Sequence, residues 1–486
     1  MIKFITDNAK RIMLFLPLLS LAMHFHVFKL DLIGIHVWRQ TQTQTVINNY
    51  IREDNQILNP KYNENPETDR IMRMEFPLMQ WIFAQVSRVF GHEVIVSRVL
   101  TFIIGIFSVF GIYFLILNLT GRKAMAVIGA WCFNFSPVFY YYTVNPLPDN
   151  FALCCAIWSM AFFFNAIKKQ SPIPVISSAV FLCLASLAKL PFIIYGGAIG
   201  VYLILELKNN FKENLRPVLI IIGIYAITLL PALLWYIIVI PTWGGNGIVS
   251  GILDLRMGAT EIYEILFANL ISTLPELLIN YAALPFFIAG FYFMVRNKIM
   301  SSKIFPVLLA WGIAVLFYFF FELNMIAAVH DYYLFPFLPM LFIIVSYGVW
   351  SLLQLQGKAF KYVVMFLLVL LPITAYLRID TRWNTESPGL NVDFYNNKTE
   401  LRNLVNADDR VIVGFDKSHF ILLYYLDKKG WAFDEGFTVT QFNHAIQNDA
   451  KYLFTDKPID TIPEVKIHLG EKIYDKGTIR VFKLVP

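Results

Sequence analysis

The chain has 486 residues, of which 57% are hydrophobic types and only 15% charged, with 44 Phe, 24 Tyr and 10 Trp. A soluble chain of this size carries roughly 25% charge, and the mean hydropathy here is +0.58. This composition excludes a soluble enzyme, a disordered protein and a disulfide scaffold, and leaves a polytopic α-helical membrane protein. The formal net charge of +6 is spread along the chain and is no argument for nucleic acid. Cys132, Cys154, Cys155 and Cys183 all fall within apolar stretches, without CxxC or zinc-type spacing.

In chain order, the short basic N-terminus leads into an apolar run from Ile12 with no clear small-residue cleavage site, which is read as a first transmembrane helix. A crossing needs about 20 mostly apolar residues. That rule predicts about eleven: 12–30, 94–118, 124–144, 147–167, 172–188, 190–206, 217–240, 274–295, 304–322, 333–354 and 362–379. The stretches 124–148 and 217–253 hold no charged residue, whereas 172–188 and 190–206 are short and separated by Lys189. With a cytoplasmic N-terminus, fifteen Lys and Arg lie in the inside segments. Only Lys189 and Arg256 lie in the short outside loops, so the positive-inside bias places the C-terminus outside.

Two segments break the apolar rhythm, and both fall on the outer side. Residues 31–93 form a first loop too long for a simple connection, with interfacial helices expected around Val46, Ile47, Tyr50 and Ile51 and over 76–90. Residues 380–486 hold 30 of the 74 charged residues. Short strands at 411–415 and 451–456, and a terminal pair turning at Lys476-Gly477, predict a small α/β domain there. The expected division is therefore a transmembrane domain, 1–379, and a soluble extracytoplasmic domain, 380–486.

Ionisable groups at membrane depth are costly and mark function. Asp31, His36, Arg39, Glu75, Arg98, Asp149, Lys189, Glu322, His330 and Asp331 all map to the outer ends of helices or to outer loops. A transporter places such groups near the midplane, so an outer rim of acids and bases fits an enzyme whose lipid-linked substrate lies in the outer leaflet. In GIHVWRQTQTQT (34–45), Trp38 is suited to the interface, Arg39 to an anionic head group, and His36 and Gln40 to proton acceptance and hydrogen bonding. An aromatic-belt residue beside ordinary polar ones is the alternative. In RMEFPLMQW (73–81), Glu75 precedes a Phe-Pro step and is either a capping acid or a catalytic one. In NPLPDN (145–150), Asp149 at a helix N-terminus reads first as an N-cap. Lys189 in SLAKLPF (186–192) suits a phosphate or snorkels. In HDYYLFPFLP (330–339), His330 and Asp331 suit a phosphate or sugar hydroxyl, and Tyr332 and Tyr333 are interfacial anchors or substrate contacts.

The order of these motifs is a first-loop WRQ, an E-x-P, a PxPDN turn, an AK(x)P and an H-x-Y-Y-x-x-P-F-L-P. It resembles bacterial membrane glycosyltransferases of the GT-C class, the group that includes the protein O-mannosyltransferases and the lipid A aminoarabinose transferase. The resemblance spans most of 1–380. It implies an inverting transfer of a hexose or pentose from a polyprenyl-phosphate sugar to an acceptor, at the extracytoplasmic (periplasmic) face of the bacterial plasma membrane, in cell-envelope assembly. It also implies Asp149 as an active-site acid and Lys189 as the donor-phosphate ligand, assisted by Arg39; His330, from the reading of its own segment, is a further expected phosphate contact. Such enzymes usually carry a first-loop acid as base. Here the stretch is Thr41-Gln42-Thr43, which leaves the base among Asp31, His36 and Glu75, or the activity lost. Gln40, Trp38, Asp331, Tyr332 and Tyr333 are the expected substrate contacts. No cofactor is implied and a divalent metal is left open, because the carboxylates are too scattered to argue for one. The expected partners are the lipid-linked sugar, membrane lipid and an acceptor of unspecified class, without nucleic acid. A lipid-glycan flippase is the alternative from another class.

Overall fold

The computed structural model describes all residues except 170, 244–256, 298–301, 303, 329, 387–390 and 486. Arg256, Lys298 and Lys303, which enter the charge count above, lie outside the described residues. Two compact units form. One contains Met1–Phe28, Met74–Phe76 and Arg98–Asp380, and the other contains Lys29–Arg73, Pro77–Ser97 and Thr381–Pro486.

The first unit is helical. Among the described residues, seven helices are long and apolar enough to cross a membrane: Val94–Thr120, Pro148–Lys169, Leu190–Asn209, Phe211–Trp243, Ala259–Ile279, Asp331–Leu352 and Lys358–Arg382. Pro172–Ala188, Leu284–Arg296 and Phe305–Phe321 are shorter apolar helices. The N-terminal helix Ala9–His24 ends earlier than the expected 30. Its His24, fully buried, is held between Ser20 O (2.7 Å) and Tyr140 O (3.0 Å).

Two expected crossings are interrupted, each for a local reason. The stretch 124–144 forms Lys123–Asn134 and Pro137–Tyr142, because Pro137 cannot donate into the helix that precedes it. The stretch 274–295 is not one helix. A π-helical segment, Asn269–Ile279, stops at Asn280, whose φ is 83°, and a new helix runs from Leu284 to Arg296. Broken helices at membrane depth need partners for the freed backbone groups, and the two breaks supply them to each other. Asn280 Nδ2 donates to Phe135 O (3.0 Å) and Leu371 O (3.2 Å), and Ser136 Oγ donates to Leu278 O (2.6 Å).

Where Leu284–Arg296 crosses Leu338–Leu352, the backbones touch. A Cβ on Gly290 would lie 2.1 Å from Ile344 O, and one on Gly348 would lie 1.9 Å from Phe286 O. Small residues at such crossings give close van der Waals packing, which replaces the hydrophobic driving force that lipid removes.

The second unit folds the first loop together with the C-terminal tail. Its sheet contains β1 (Arg410–Gly414), β2 (Gly430–Phe433), β3 (Ala450–Thr455), β4 (Leu469–Lys476) and β5 (Ile479–Leu484), ordered β2-β1-β3-β5-β4. The first three strands are parallel and the β4–β5 hairpin is antiparallel. It turns at Gly477, whose φ of 60° favours glycine. Sequence periodicity misses β2, which is only four residues long.

Leu32, Ile33 and Val37 share a core with Val411, Val413, Tyr425 and Val481. Asn63 O accepts from Gly430 N (3.0 Å) and Gly430 O from Asn65 N (3.0 Å), so the loop adds to the edge at β2. Ion pairs repeat the junction at Arg52–Asp427 (2.7 Å), Lys429–Glu53 (2.9 Å) and His419–Glu64 (2.6 Å). Exposed pairs contribute little each, so the buried apolar contacts hold the loop. Its helices are Val37–Arg52 and Leu78–Phe90. The second exposes Val89 (77%) and Phe90 (75%).

Candidate active site

In the first unit, the turn between helices Pro137–Tyr142 and Pro148–Lys169 is built around Arg98. Its fully buried guanidinium donates to Val144 O (3.0 Å) and Asn145 Oδ1 (2.7 Å). Asn145 Nδ2 donates to Tyr141 O, and Asn150 Nδ2 donates to the carbonyls of Tyr142 and Asn145. Pro148 takes the first helical position, so Asp149 is the second residue of its helix and not the N-cap that the sequence indicates. The helix dipole still favours its negative charge there.

Asp149 Oδ1 lies 3.5 Å from Lys189 Nζ, and the two side chains are 4% and 14% exposed. Lys189 marks the stop of helix Pro172–Ala188. Its φ of −154° is extended, and Leu190-Pro191 begins a separate 3-10 turn. A cation at a helix C-terminus is stabilised by the dipole, so each charge sits at the helix end that suits it.

An aromatic wall flanks the lysine. Its Nζ lies 5.3 Å from the Tyr333 ring centroid, within cation–π range. Tyr333 stacks on Tyr332 at 5.3 Å, and the His330 ring meets both edge-on at 5.0 and 5.3 Å. His330 Nδ1 is 3.2 Å from Met325 O, and Asp331 Oδ1 accepts from Tyr142 OH (2.6 Å). That bond ties the HDYY segment to the NPLPDN turn. Glu322, 6% exposed, lies near enough to Lys189 for their charges to interact.

Glu75 is 8% exposed. The helix that follows it begins at Leu78 with Pro77 as its cap residue, so Glu75 precedes the cap. Its segment runs against two apolar helices: Phe76 N donates to Leu187 O (2.9 Å) and Trp235 Nε1 to Met74 O (3.1 Å). Glu75 is thus held beside the segment that carries Lys189.

Asp31, His36, Trp38, Arg39 and Gln40 belong to the second unit. Asp31 accepts from Tyr424 OH (3.0 Å) and Leu32 N (2.7 Å), and pairs with Lys398 (2.8 Å). His36 takes φ 57° at the start of helix Val37–Arg52, and Trp38 packs on the tail core. Buried Arg39 donates to Gln42 Oε1, and Gln40 Nε2 to Ile35 O (3.1 Å). The hydroxyls of Thr41 and Thr43 bond the carbonyls of Trp38 and Arg39. Among the described residues, no three His, Cys, Asp or Glu side chains converge as metal ligands.

Sequence reasoning placed Arg98 and Glu322 on the rim but gave them no role, and it passed over Tyr142 and Asn145. Fully buried charge is the signal that distinguishes Arg98, and it is visible only in three dimensions.

Residues 75–235 match the family model of dolichyl-phosphate-mannose-protein mannosyltransferases. This stretch includes Glu75, Asp149 and Lys189. No curated protein matches the chain in sequence. Three similar solved structures are membrane glycosyltransferases. ArnT from Cupriavidus metallidurans, bound to undecaprenyl phosphate, is 12% identical with TM-score 0.65, over 98% of this chain and 97% of that one. Archaeal oligosaccharyltransferase AglB from Archaeoglobus fulgidus, in complex with an inhibitory peptide and a dolichol-phosphate, is 12% identical with TM-score 0.58, over 92% and 69%. Arabinofuranosyltransferase AftD from Mycobacteria is 11% identical with TM-score 0.58, over 98% and 41%. The resemblance drawn from the motifs therefore holds: this multi-pass chain has the fold of the GT-C membrane glycosyltransferases.

Proposed function

We propose that the protein transfers a sugar from a polyprenyl-phosphate donor to an acceptor at the extracytoplasmic face of a bacterial plasma membrane, with inversion at the anomeric carbon. The observation that carries this reading is the Asp149–Lys189 pair at 3.5 Å beside the Tyr333–Tyr332–His330 wall. It joins a fixed cation for a phosphate, a carboxylate and aromatic faces for a sugar ring.

In this reading the acceptor hydroxyl attacks the anomeric carbon as a carboxylate takes its proton. Lys189, with His330, stabilises the negative charge that collects on the departing polyprenyl phosphate. Asp149 holds the ammonium in place, and Glu75 is a further buried acid of this unit, next to Phe76, which bonds Leu187 O on the segment that carries Lys189. Asp31, engaged by Lys398 and Tyr424, holds the first loop to the tail. Asp331, Tyr332 and Tyr333 are assigned to substrate.

The topology that goes with this reading has eleven crossings, the N-terminus in the cytoplasm, and the tail outside. Helix Ala259–Ile279 is then a surface helix of the outer face and not a crossing. It packs on Leu323–Ala328, and its Glu276 pairs with Arg378 in the last turn of Lys358–Ile379. The crossing expected over 274–295 is then made by the segment that contains Leu284–Arg296.

A catalytically inactive relative is the second reading, favoured by the absence of a carboxylate from 41–43. The separating experiment measures carrier phosphate released from radiolabelled polyprenyl-phosphate sugars by the protein and by Lys189→Ala. Release that depends on Lys189 supports the transferase. Carrier binding without release from any donor supports the inactive relative.

A further inference from the structure

Helix Phe305–Phe321 contains no ionisable side chain other than Tyr318, and it ends at Glu322. The backbone there is fully used: Glu322 N donates to Tyr318 O (2.9 Å), and Glu322 O accepts from Met325 N and Ile326 N (3.0 Å each). The carboxylate caps neither helix. It is buried, and its Oε2 has no hydrogen-bond partner among the described residues. A buried polar oxygen left unsatisfied costs stability, and such costs persist where function requires the group. The charge that acts on Glu322 is Lys189, which Asp149 already engages. One ammonium thus acts on two carboxylates, one paired with it at 3.5 Å and one with an open oxygen.

We propose that Glu322 is the general base of the reaction, supplying the carboxylate that residues 41–43 lack. This rests on the transferase reading above. The acceptor O–H proton passes to Glu322 Oε2 as the acceptor oxygen bonds to the anomeric carbon. The bond from that carbon to the phosphate oxygen breaks, and its electron pair leaves with polyprenyl phosphate, held by Lys189. Glu322 then returns the proton to water. Lys189 acts on Glu322, and Glu322 acts on Tyr318 together with Asp149, Tyr332 and Tyr333, the two tyrosines whose rings meet His330. Glu261 and Glu264, on the adjoining helix, are exposed.

The test compares wild type, Glu322→Gln and Asp149→Asn in detergent, with a donor that the wild type turns over and undecaprenyl phosphate as the binding probe. Glu322→Gln keeps the shape but cannot accept the proton. It should lose about 10²-fold or more in kcat, keep carrier affinity within about threefold, melt no lower than wild type, and lose the acidic limb of the kcat/KM profile. Three outcomes overturn the assignment: turnover kept within about threefold, an unchanged acidic limb, or carrier binding lost together with turnover. Failure of the wild type to release carrier phosphate from any donor overturns the transferase reading itself, which is a different result.

Discussion

Asp149 and Lys189 are read from the sequence with unequal success. Lys189 is legible because it is the one cation in a long apolar stretch, where a charge must have a use. Asp149 is legible as a residue at a helix start, but its cap assignment fails because Pro148 takes the first helical position and the carboxylate turns to the lysine. This pairing sets the expectation for each variant. Lys189→Ala should weaken undecaprenyl phosphate binding about tenfold or more, the scale of one charge-assisted hydrogen bond at ~1.5 kcal/mol or above. Unchanged affinity in a binding titration would remove Lys189 from the phosphate site. Asp149→Asn should lower turnover by about 10²-fold without weakening that binding, because it frees the ammonium. Glu75→Gln should be the next most sensitive, and Asp31→Asn should act on thermal stability and leave chemistry intact. Lys398 and Tyr424, the partners of Asp31, are remote from it in sequence and are not legible there.

At the scale of elements, hydropathy finds nearly every apolar helix but not its breaks, since these depend on partners elsewhere in the chain. Nothing near Asn280 announces that it will bond Phe135 O and Leu371 O, and a window average runs straight across it. If Ala259–Ile279 lies on the outer surface, Tyr263→Cys, at an exposed position (64%), should react with an impermeant thiol reagent added outside. The native cysteines are all buried. Labelling only from the cytoplasmic side would reverse this placement.

The junction of loop and tail carries its own pH dependence. His419 hydrogen-bonds Glu64, and this bond raises the imidazole above its ordinary value. A group raised on folding contributes stability that is complete below its unfolded pKa of about 6.5 and is lost as pH rises through the folded value. Limited proteolysis of the first loop should therefore accelerate as pH is raised from about 6 to 8.5, and Glu64→Gln should flatten that response. An unchanged slope in Glu64→Gln would take the pair out of the junction's energetics.

For the whole molecule, composition and hydropathy are enough for the membrane class, because both are sums over many residues. The union of loop 29–73 and 77–97 with the tail was not legible, since each half exposes apolar residues that make sense only against the other. The proposed topology requires that external protease digest residues 390–486 in right-side-out vesicles, whereas Lys123 and Lys169 label only from the cytoplasm. A protected tail would reverse the orientation.

The central claim, that this fold transfers sugar from a lipid phosphate, is tested most directly by incubating the purified full chain with radiolabelled polyprenyl-phosphate sugars and envelope acceptors. The reading predicts that one donor loses its label to an acceptor or to water, with release of polyprenyl phosphate that falls about 10²-fold in Asp149→Asn. Intact lipid-linked sugar moved across vesicles without cleavage, or no cleavage of any donor, would contradict it.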